Sequence, residues 1–242
     1  FRQKRRVYKK ETKTEEKSTK KLDGTLKVVT TGDAYQPLFD KFTEEVGPKV
    51  EFISMSSGEV LSKLKAEGGT PAADLWFGGG IDAFMDAKDN NLLEKVDFDA
   101  ADELSPDFKD SDNYWFSKGV TVVGFIVNND ILKEKGLEAP KTWDDLTKEE
   151  YQGEVLMSNP AISGTNYAVV NALLQTKGQD EGWKYFEALN KNVDYYSKRG
   201  SDPSTKTAAG EVGIGITYIN GTLDELKEQA DVDVIYPEDG MP

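Results

Sequence analysis

The sequence predicts an α/β fold in which two doubly wound lobes are joined by a hinge. Three successive strand–loop–helix units fill residues 26–87, and crossovers of this kind join parallel strands of one sheet. The same pattern resumes at residue 155 and continues to residue 236. Between the two regions lies one long apolar strand, residues 120–127, which marks the change from the first lobe to the second.

Each element of the first lobe follows a simple pattern. Residues 26–30, 50–54 and 73–77 are short apolar runs of strand length. The three helices after them carry apolar residues three and four positions apart, which is the spacing of one helix face. These residues are Leu38, Phe39, Phe42 and Val46, then Val60, Leu61 and Leu64, then Ala83, Phe84 and Ala87.

The second lobe is reached through an acidic irregular segment, residues 97–112, and the long strand. Asn128 is predicted to cap a short helix and Thr142 another. A strand at residues 155–157 leads through a polar loop into an amphipathic helix that starts at Tyr167. A helix around Trp183, Phe186 and Leu189, strands at 193–196, 212–218 and 232–236, and helices at 201–209 and 223–230 complete the pattern.

The charge is divided unevenly along the chain. Residues 1–24 hold 10 Lys and Arg against 4 Asp and Glu, whereas the remaining residues hold 20 against 40. The first segment has almost no apolar content and is predicted to be a disordered tail or a tether between a lipid anchor and a folded domain. Because the body is so acidic, nucleic acid is not an expected partner.

The residue inventory excludes several function classes. The chain has no Cys and no His. Thiol catalysis, a Ser-His-Asp hydrolase and a typical zinc enzyme are therefore ruled out, and no convergent pair of acids is visible. An enzyme on this fold remains an alternative, but the sequence favours a binding protein without catalysis or cofactor. The apolar runs have strand length rather than the length that spans a membrane.

Several loops that follow strands are built from Gly, Ser and Thr, and they open helices. A helix N-terminus offers unpaired N–H groups and the positive end of the helix dipole, which together suit an anion. The alternative is an ordinary set of helix caps. In open α/β sheets ligands lie at the carboxyl ends of the strands. The candidate ligand-binding residues in these loops are Gly32, Asp33, Ser57, Gly58, Gly79, Ser163, Gly164 and Thr165.

The order of short motifs resembles the type 2 periplasmic solute-binding proteins of ABC importers, specifically their iron(III)-type branch. The resemblance covers residues 25–240. Its motifs are Ser56-Ser57-Gly58-Glu59, the strand from Pro71 to Phe77, the crossing strand ending at Asn128-Asn129, Thr142-Trp143-Asp144-Asp145-Leu146, Asn159-Pro160-Ala161-Ile162-Ser163-Gly164-Thr165 and Tyr236-Pro237-Glu238-Asp239-Gly240.

This resemblance implies a monomeric extracytoplasmic protein, periplasmic or lipid-anchored. It closes two lobes over a solute and docks on a membrane permease. The implied organisation is a tail at residues 1–24, a first lobe at 25–121, a second lobe at 122–236 and a return crossing at 237–242. The family then completes its first lobe with further residues. We therefore expect that this C-terminal part is missing here and that something else covers the first lobe.

The solute is predicted to be a small organic anion, such as a phosphorylated sugar or a phosphonate. Ferric members use two adjacent tyrosines, whereas here Tyr218 is followed by Ile219. Tyr218 is a further candidate ligand-binding residue for the organic anion. The alternative cargo is an Fe(III)–anion complex with Tyr218 and Tyr35 as ligands. Arg199 could pair with the anion or be a solvated loop cation. The Tyr195-Tyr196 pair cannot direct both phenols to one face of a strand. A ligand-sensing extracellular domain is a third hypothesis.

Overall fold

The computed structural model describes residues 21–241 of the 242-residue chain. Most of the predicted tail, residues 1–20, lies outside the described residues. At its end Leu22 donates its N–H to the Val46 carbonyl at 2.8 Å, and the Gly24 carbonyl accepts from Lys49 at 3.0 Å. This short stretch is therefore bound to the turn before the second strand. Within residues 21–241 no helix is both long and apolar enough to cross a membrane.

Strands and helices alternate through most of the described chain. The strands are β1 Thr25–Thr30, β2 Lys49–Ser54, β3 Leu75–Phe77, β4 Val122–Asn128, β5 Val155–Ser158, β6 Val193–Ser197, β7 Ile214–Ile219 and β8 Val232–Ile235. The helices are α1 Gln36–Val46, α2 Ser57–Glu67, α3 Ile81–Asp89, α4 Asn129–Lys135, α5 Gly164–Lys177, α6 Gln179–Asn192, α7 Asp202–Ala208 and α8 Thr222–Gln229. The acidic segment before β4 holds short 3-10 turns at Asp99–Glu103 and Pro106–Phe108.

The strands form two separate sheets. The first has the order β2-β1-β3 with all neighbours parallel, as the three βα units predict. The second has the order β6-β5-β7-β4-β8, in which β5 is parallel to β6 and β7 while β4 is antiparallel to β7 and β8. The second sheet is therefore mixed rather than purely parallel. The strand β4 enters from the other sheet and not through a helical crossover, so no rule forces it to run parallel. We call each sheet with its helices a lobe.

Most helix caps follow the sequence prediction. The Asn128 side chain accepts the N–H of Ile131 at 3.1 Å, and Thr142 Oγ1 accepts the N–H of Asp145 at 3.2 Å. The element after Thr142 is only a 3-10 turn, Asp144–Thr147. Helix α5 begins at Gly164, which is earlier than the predicted start at Tyr167, because its first turn is polar and lies outside the apolar pattern.

The larger core belongs to the second lobe. Phe125 and Trp143 pack edge to face with ring centroids 4.8 Å apart, and both are buried. Trp143 also fixes the segment after β8, since its ring N–H donates to the Gly240 carbonyl at 2.8 Å and its backbone N–H donates to the Asp239 carboxylate at 3.1 Å. The first lobe has a smaller core of Val29, Val60 and Leu64, with an aromatic cluster at its opposite face.

Candidate functional site

Three helix N-termini from both lobes meet at one point. Ser57, the first residue of α2, accepts the N–H of Gly80 at 3.1 Å, and Gly80 caps α3. Gly164 begins α5 in the other lobe, and a Cβ placed there would lie 2.8 Å from Ser57 Oγ and 3.0 Å from the Gly80 nitrogen. Each N-terminus carries roughly half a positive charge. The helix dipoles therefore direct positive partial charge at this point, while the first turns of α2 and α3 also carry the carboxyl groups of Glu59 and Asp82.

The two lobes are joined there by direct hydrogen bonds, which we call the interlobe seam. The Gly58 N–H donates to the Ile162 carbonyl at 2.9 Å. The Ser56 hydroxyl donates to the Lys198 carbonyl at 3.2 Å, and the Arg199 guanidinium donates to Ser54 Oγ at 2.7 Å. The structure therefore represents the lobes in contact.

Glycines make this close approach possible. A Cβ at Gly58 would lie 2.3 Å from the Ala161 carbonyl oxygen, and one at Gly79 would lie 2.8 Å from Ser57 Oγ. Gly79 also has a φ of 135°, a conformation that residues with side chains rarely adopt. Of the glycines predicted as ligand contacts, Gly58 and Gly164 therefore pack between the lobes, and Gly79 packs within the first lobe.

The second lobe contributes hydroxyl groups beside the seam. Ser163 caps α5 and is 2% exposed. A Cβ at Gly200 would lie 2.4 Å from Thr165 Oγ1 and 3.2 Å from Ser163 Oγ, so the loop before α7 packs on the first turn of α5. The Thr217 hydroxyl holds this loop by donating to the Gly200 carbonyl at 3.2 Å. The predicted residues Ser163, Gly164 and Thr165 therefore lie together.

On the first lobe, Tyr35 and Lys118 form a polar pair over an aromatic floor. The Lys118 ammonium donates to Tyr35 Oη at 2.7 Å and lies 4.6 Å from the centre of its ring. The Tyr35 ring meets Phe77 edge to face at 5.1 Å. A Cβ at Gly78 would lie 2.8 Å from Thr31 Oγ1 and 3.4 Å from Lys118 Cε. This pair lies where β1 and β3 end.

Tyr218 lies near the end of β7 in the second lobe and is partly buried. Burial raises the pKa of its phenol, and the nearby Tyr35 raises it further, while a hydrogen bond with Ser201 acts in the opposite direction. Tyr218 is therefore a neutral hydrogen-bonding group at physiological pH. The role of Tyr35 on the first lobe and of Tyr218 on the second in holding a ligand stays a prediction.

The remaining predicted residues lie at the margin of the site. Gly32 precedes a 3-10 turn, Asp33–Tyr35, and Asp33 is exposed in its first turn. Tyr195 and Tyr196 direct their phenols to different partners, Glu211 at 3.2 Å and Asn190 at 2.7 Å, as strand alternation predicts. Neither tyrosine is bonded to the pair formed by Tyr35 and Lys118.

Lys118, Gly80 and Asp82 were not identified from the sequence. Lys118 lies in an irregular segment without a motif, and its contact with Tyr35 spans 83 positions. Asp82 lies in the first turn of α3, close to Gly80, and burial raises the pKa of its carboxyl. Only Gly80 has a signal in the sequence, because it is the third glycine of the Gly78-Gly79-Gly80 run, and a run of glycines before a helix indicates that another part of the backbone approaches closely.

The carboxylates of the described residues do not assemble a metal centre. Within residues 21–241 no group of three or more Asp or Glu could hold an ion, and the sequence offers no His or Cys. Ferric iron would then depend on phenolates, and Tyr35 Oη is already bound by an ammonium group.

Comparison with known proteins places these features in a family. Residues 71–241 match the family model described as bacterial extracellular solute-binding protein. The periplasmic binding protein AfuA from Actinobacillus pleuropneumoniae, solved with exogenous fructose-6-phosphate bound, is 30% identical with a TM-score of 0.84; the match covers 90% of this chain and 70% of AfuA. The likeness confirms the predicted periplasmic binding protein type 2 fold.

Two further relatives match most of this chain. An uncharacterised protein of Haemophilus influenzae is 32% identical over 204 residues, 82% of this chain and 59% of that protein. A Salmonella paratyphi A periplasmic protein assigned to 2-aminoethylphosphonate binding is 26% identical over 84% of this chain and 58% of its own length. This chain thus spans about three fifths of these relatives.

Solved ferric-binding proteins share the fold. That of Campylobacter jejuni is 21% identical with a TM-score of 0.69, over 89% of this chain and 71% of its own. The predicted resemblance to the iron(III)-type branch is therefore confirmed at the level of fold. A family of solute-binding proteins also agrees with the prediction of a binding protein rather than an enzyme. The chain belongs to the bacterial extracellular solute-binding protein family.

Proposed function

We propose that this protein binds a small organic anion carrying a phosphate or phosphonate group and delivers it to the permease of an ABC importer. The observation that carries the proposal is the meeting of the α2, α3 and α5 N-termini from opposite lobes. N–H groups and helix dipoles favour anions, and phosphate is commonly bound in this way.

Hinge closure follows from the same arrangement. An anion beside the seam contacts donors from both lobes only when the lobes meet, so binding stabilises the closed form. The solute would lie between the Tyr35 side of the first lobe and the Tyr218 side of the second. Ser163 and Thr165 would offer hydroxyl groups, and Asp82 would accept from a solute hydroxyl or ammonium group.

The relatives support a phosphorus-containing solute. AfuA was solved with fructose-6-phosphate, and the Salmonella relative is assigned to an aminophosphonate. The ferric alternative is supported by solved ferric-binding proteins such as two that are 21% identical to this chain, and a likeness at that level speaks for the fold alone. The ammonium of Lys118 beside Tyr35 further disfavours a trivalent cation.

The test is native mass spectrometry and metal analysis of the full-length protein, followed by calorimetric titration. The probes are fructose-6-phosphate, 2-aminoethylphosphonate, inorganic phosphate and ferric citrate. We expect a phosphorus-containing probe to bind at one site per chain, with no stoichiometric iron in the purified protein. No binding of any phosphorus-containing probe would refute the proposal, and stoichiometric iron in the purified protein would then favour the ferric alternative.

A further inference from the structure

Several lysines of this acidic protein bind carboxylates, whereas Lys118 binds a phenol. Lys88 and Lys135, for example, bind the carboxylates of Asp110 and Glu154. Among the described residues, Lys118 has no carboxylate within ion-pair distance, and its ammonium instead donates to the Tyr35 phenol at 2.7 Å. Its charge is therefore not neutralised by the part of the chain that the structure describes.

Aromatic rings hold this ammonium in place. It lies 4.6 Å from the ring centre of Tyr35 and 5.5 Å from that of Phe77, distances at which a cation is attracted to a ring face. Two rings and one hydrogen bond orient the ammonium but leave two of its three N–H groups for another partner. The group is thus partly preorganised for an anion.

We propose that Lys118 is the charge-bearing residue of the solute site and that it selects a phosphate or phosphonate group against ferric iron. The inference rests on the proposed function, because it assigns a residue to the same site. Tyr35 accepts from Lys118, so its own O–H can donate to the same anion. A phosphate has several oxygens and can accept from both groups at once.

The same contact explains why a metal is disfavoured. A phenol binds Fe(III) as the phenolate, with its oxygen lone pairs directed at the ion. Here Tyr35 Oη directs a lone pair at the ammonium instead, and the lysine charge repels a cation placed nearby. Gly78 lies beside this pair with a φ of 88°, and a Cβ there would lie 2.8 Å from Thr31 Oγ1.

The experiment compares the full-length wild type with Lys118→Gln, Lys118→Arg and the control Lys133→Gln, which changes an exposed lysine on α4. Each protein is titrated with fructose-6-phosphate, 2-aminoethylphosphonate and fructose, and its fold is checked by thermal unfolding. For the phosphorus-containing probe that the wild type binds, Lys118→Gln should lose about tenfold or more in affinity. Lys118→Arg should retain most of that affinity, and Lys133→Gln should match the wild type.

Two outcomes separate this inference from the proposed function. If the wild type binds a phosphorus-containing probe and Lys118→Gln binds it equally well, the assignment of Lys118 is wrong and the proposed function stands. An arginine variant as weak as the glutamine variant would also overturn it, since the effect would then not be one of charge. If the wild type binds no such probe, both proposals fail.

Discussion

Gly58→Ala should separate the stability of the fold from the closure of the lobes. Gly58 is the second residue of α2, and no positive φ requires a glycine there. Within the first lobe the added methyl is therefore tolerated, and Ala is favoured over Gly in a helix by about 1 kcal/mol. In the closed arrangement, however, the new Cβ would lie 2.3 Å from the Ala161 carbonyl oxygen and 2.9 Å from that of Ile162.

The size of the effect follows from this geometry. Both nearby atoms belong to the backbone of the other lobe, so no side chain can move aside. The lobes must separate until the 2.3 Å contact reaches at least 3.0 Å, and the Gly58–Ile162 hydrogen bond weakens. Overpacking of this kind costs about 1 to 3 kcal/mol, which corresponds to roughly 5- to 150-fold in solute affinity.

The assay is calorimetric titration of the solute, with thermal unfolding of the solute-free protein measured in parallel. The matched control is Gly221→Ala, because Gly221 has a φ of −61° and open space around its Cβ position. We expect weaker solute binding for Gly58→Ala with an unchanged or higher unfolding temperature, and no change for the control. Unchanged solute affinity in Gly58→Ala would refute the view that the seam forms on binding.

Three further predictions concern single contacts. Arg199→Gln should weaken solute binding about threefold, since the exposed Arg199–Ser54 hydrogen bond across the lobes contributes about 0.5 to 1 kcal/mol. A double-mutant cycle with Ser54→Ala should show that the two residues are coupled. Tyr185→Phe should cost about 1 kcal/mol of unfolding free energy at pH 7, because the Tyr185 hydroxyl donates to the Trp143 carbonyl at 2.8 Å. Burial raises the pKa of the Tyr185 phenol, so it stays protonated in the folded protein, whereas the unfolded phenol ionises above a pH of about 10. The free energy of unfolding of the wild type should therefore fall as the pH rises above about 10. That of Tyr185→Phe should fall less, as measured by urea unfolding from a pH of about 7 to about 11. Asp145→Asn should lower the free energy of unfolding by about 1 kcal/mol at pH 7, because Lys148 and two backbone N–H groups bind the Asp145 carboxylate and lower its pKa. The loss, measured by urea unfolding, should shrink as the pH falls below about 4, where the carboxyl of the unfolded chain binds its proton.

The architecture was predictable because it depends on local patterns. Apolar strand runs and helix spacing identified most of the elements, and the βα order gave the parallel first sheet. The mixed second sheet was missed because the direction of β4 depends on its partners in space. The start of α5 was misplaced because Gly164, Thr165 and Asn166 lack the apolar spacing that the prediction relied on.

The candidate site was only partly predictable for a related reason. Small residues before helices identified Ser57, Gly79 and Gly164, since backbone geometry alone favours them there. Gly58 was expected to offer its N–H to a solute, whereas in this structure that N–H donates to Ile162. Lys118 and Arg199 act through partners far along the chain, Tyr35 and Ser54, and no local pattern encodes such pairs.

The seam also provides a natural reporter of hinge motion. N–H groups in the first turn of a helix have no acceptor within the helix, so the protection of the Gly58 amide from hydrogen exchange depends on the Ile162 carbonyl of the other lobe. The Gly80 amide donates to Ser57 within the first lobe and should be insensitive to opening. The Gly58 exchange rate relative to that of an unprotected amide would therefore measure the fraction of time that the lobes spend apart, with Gly80 as the control and no bound solute required.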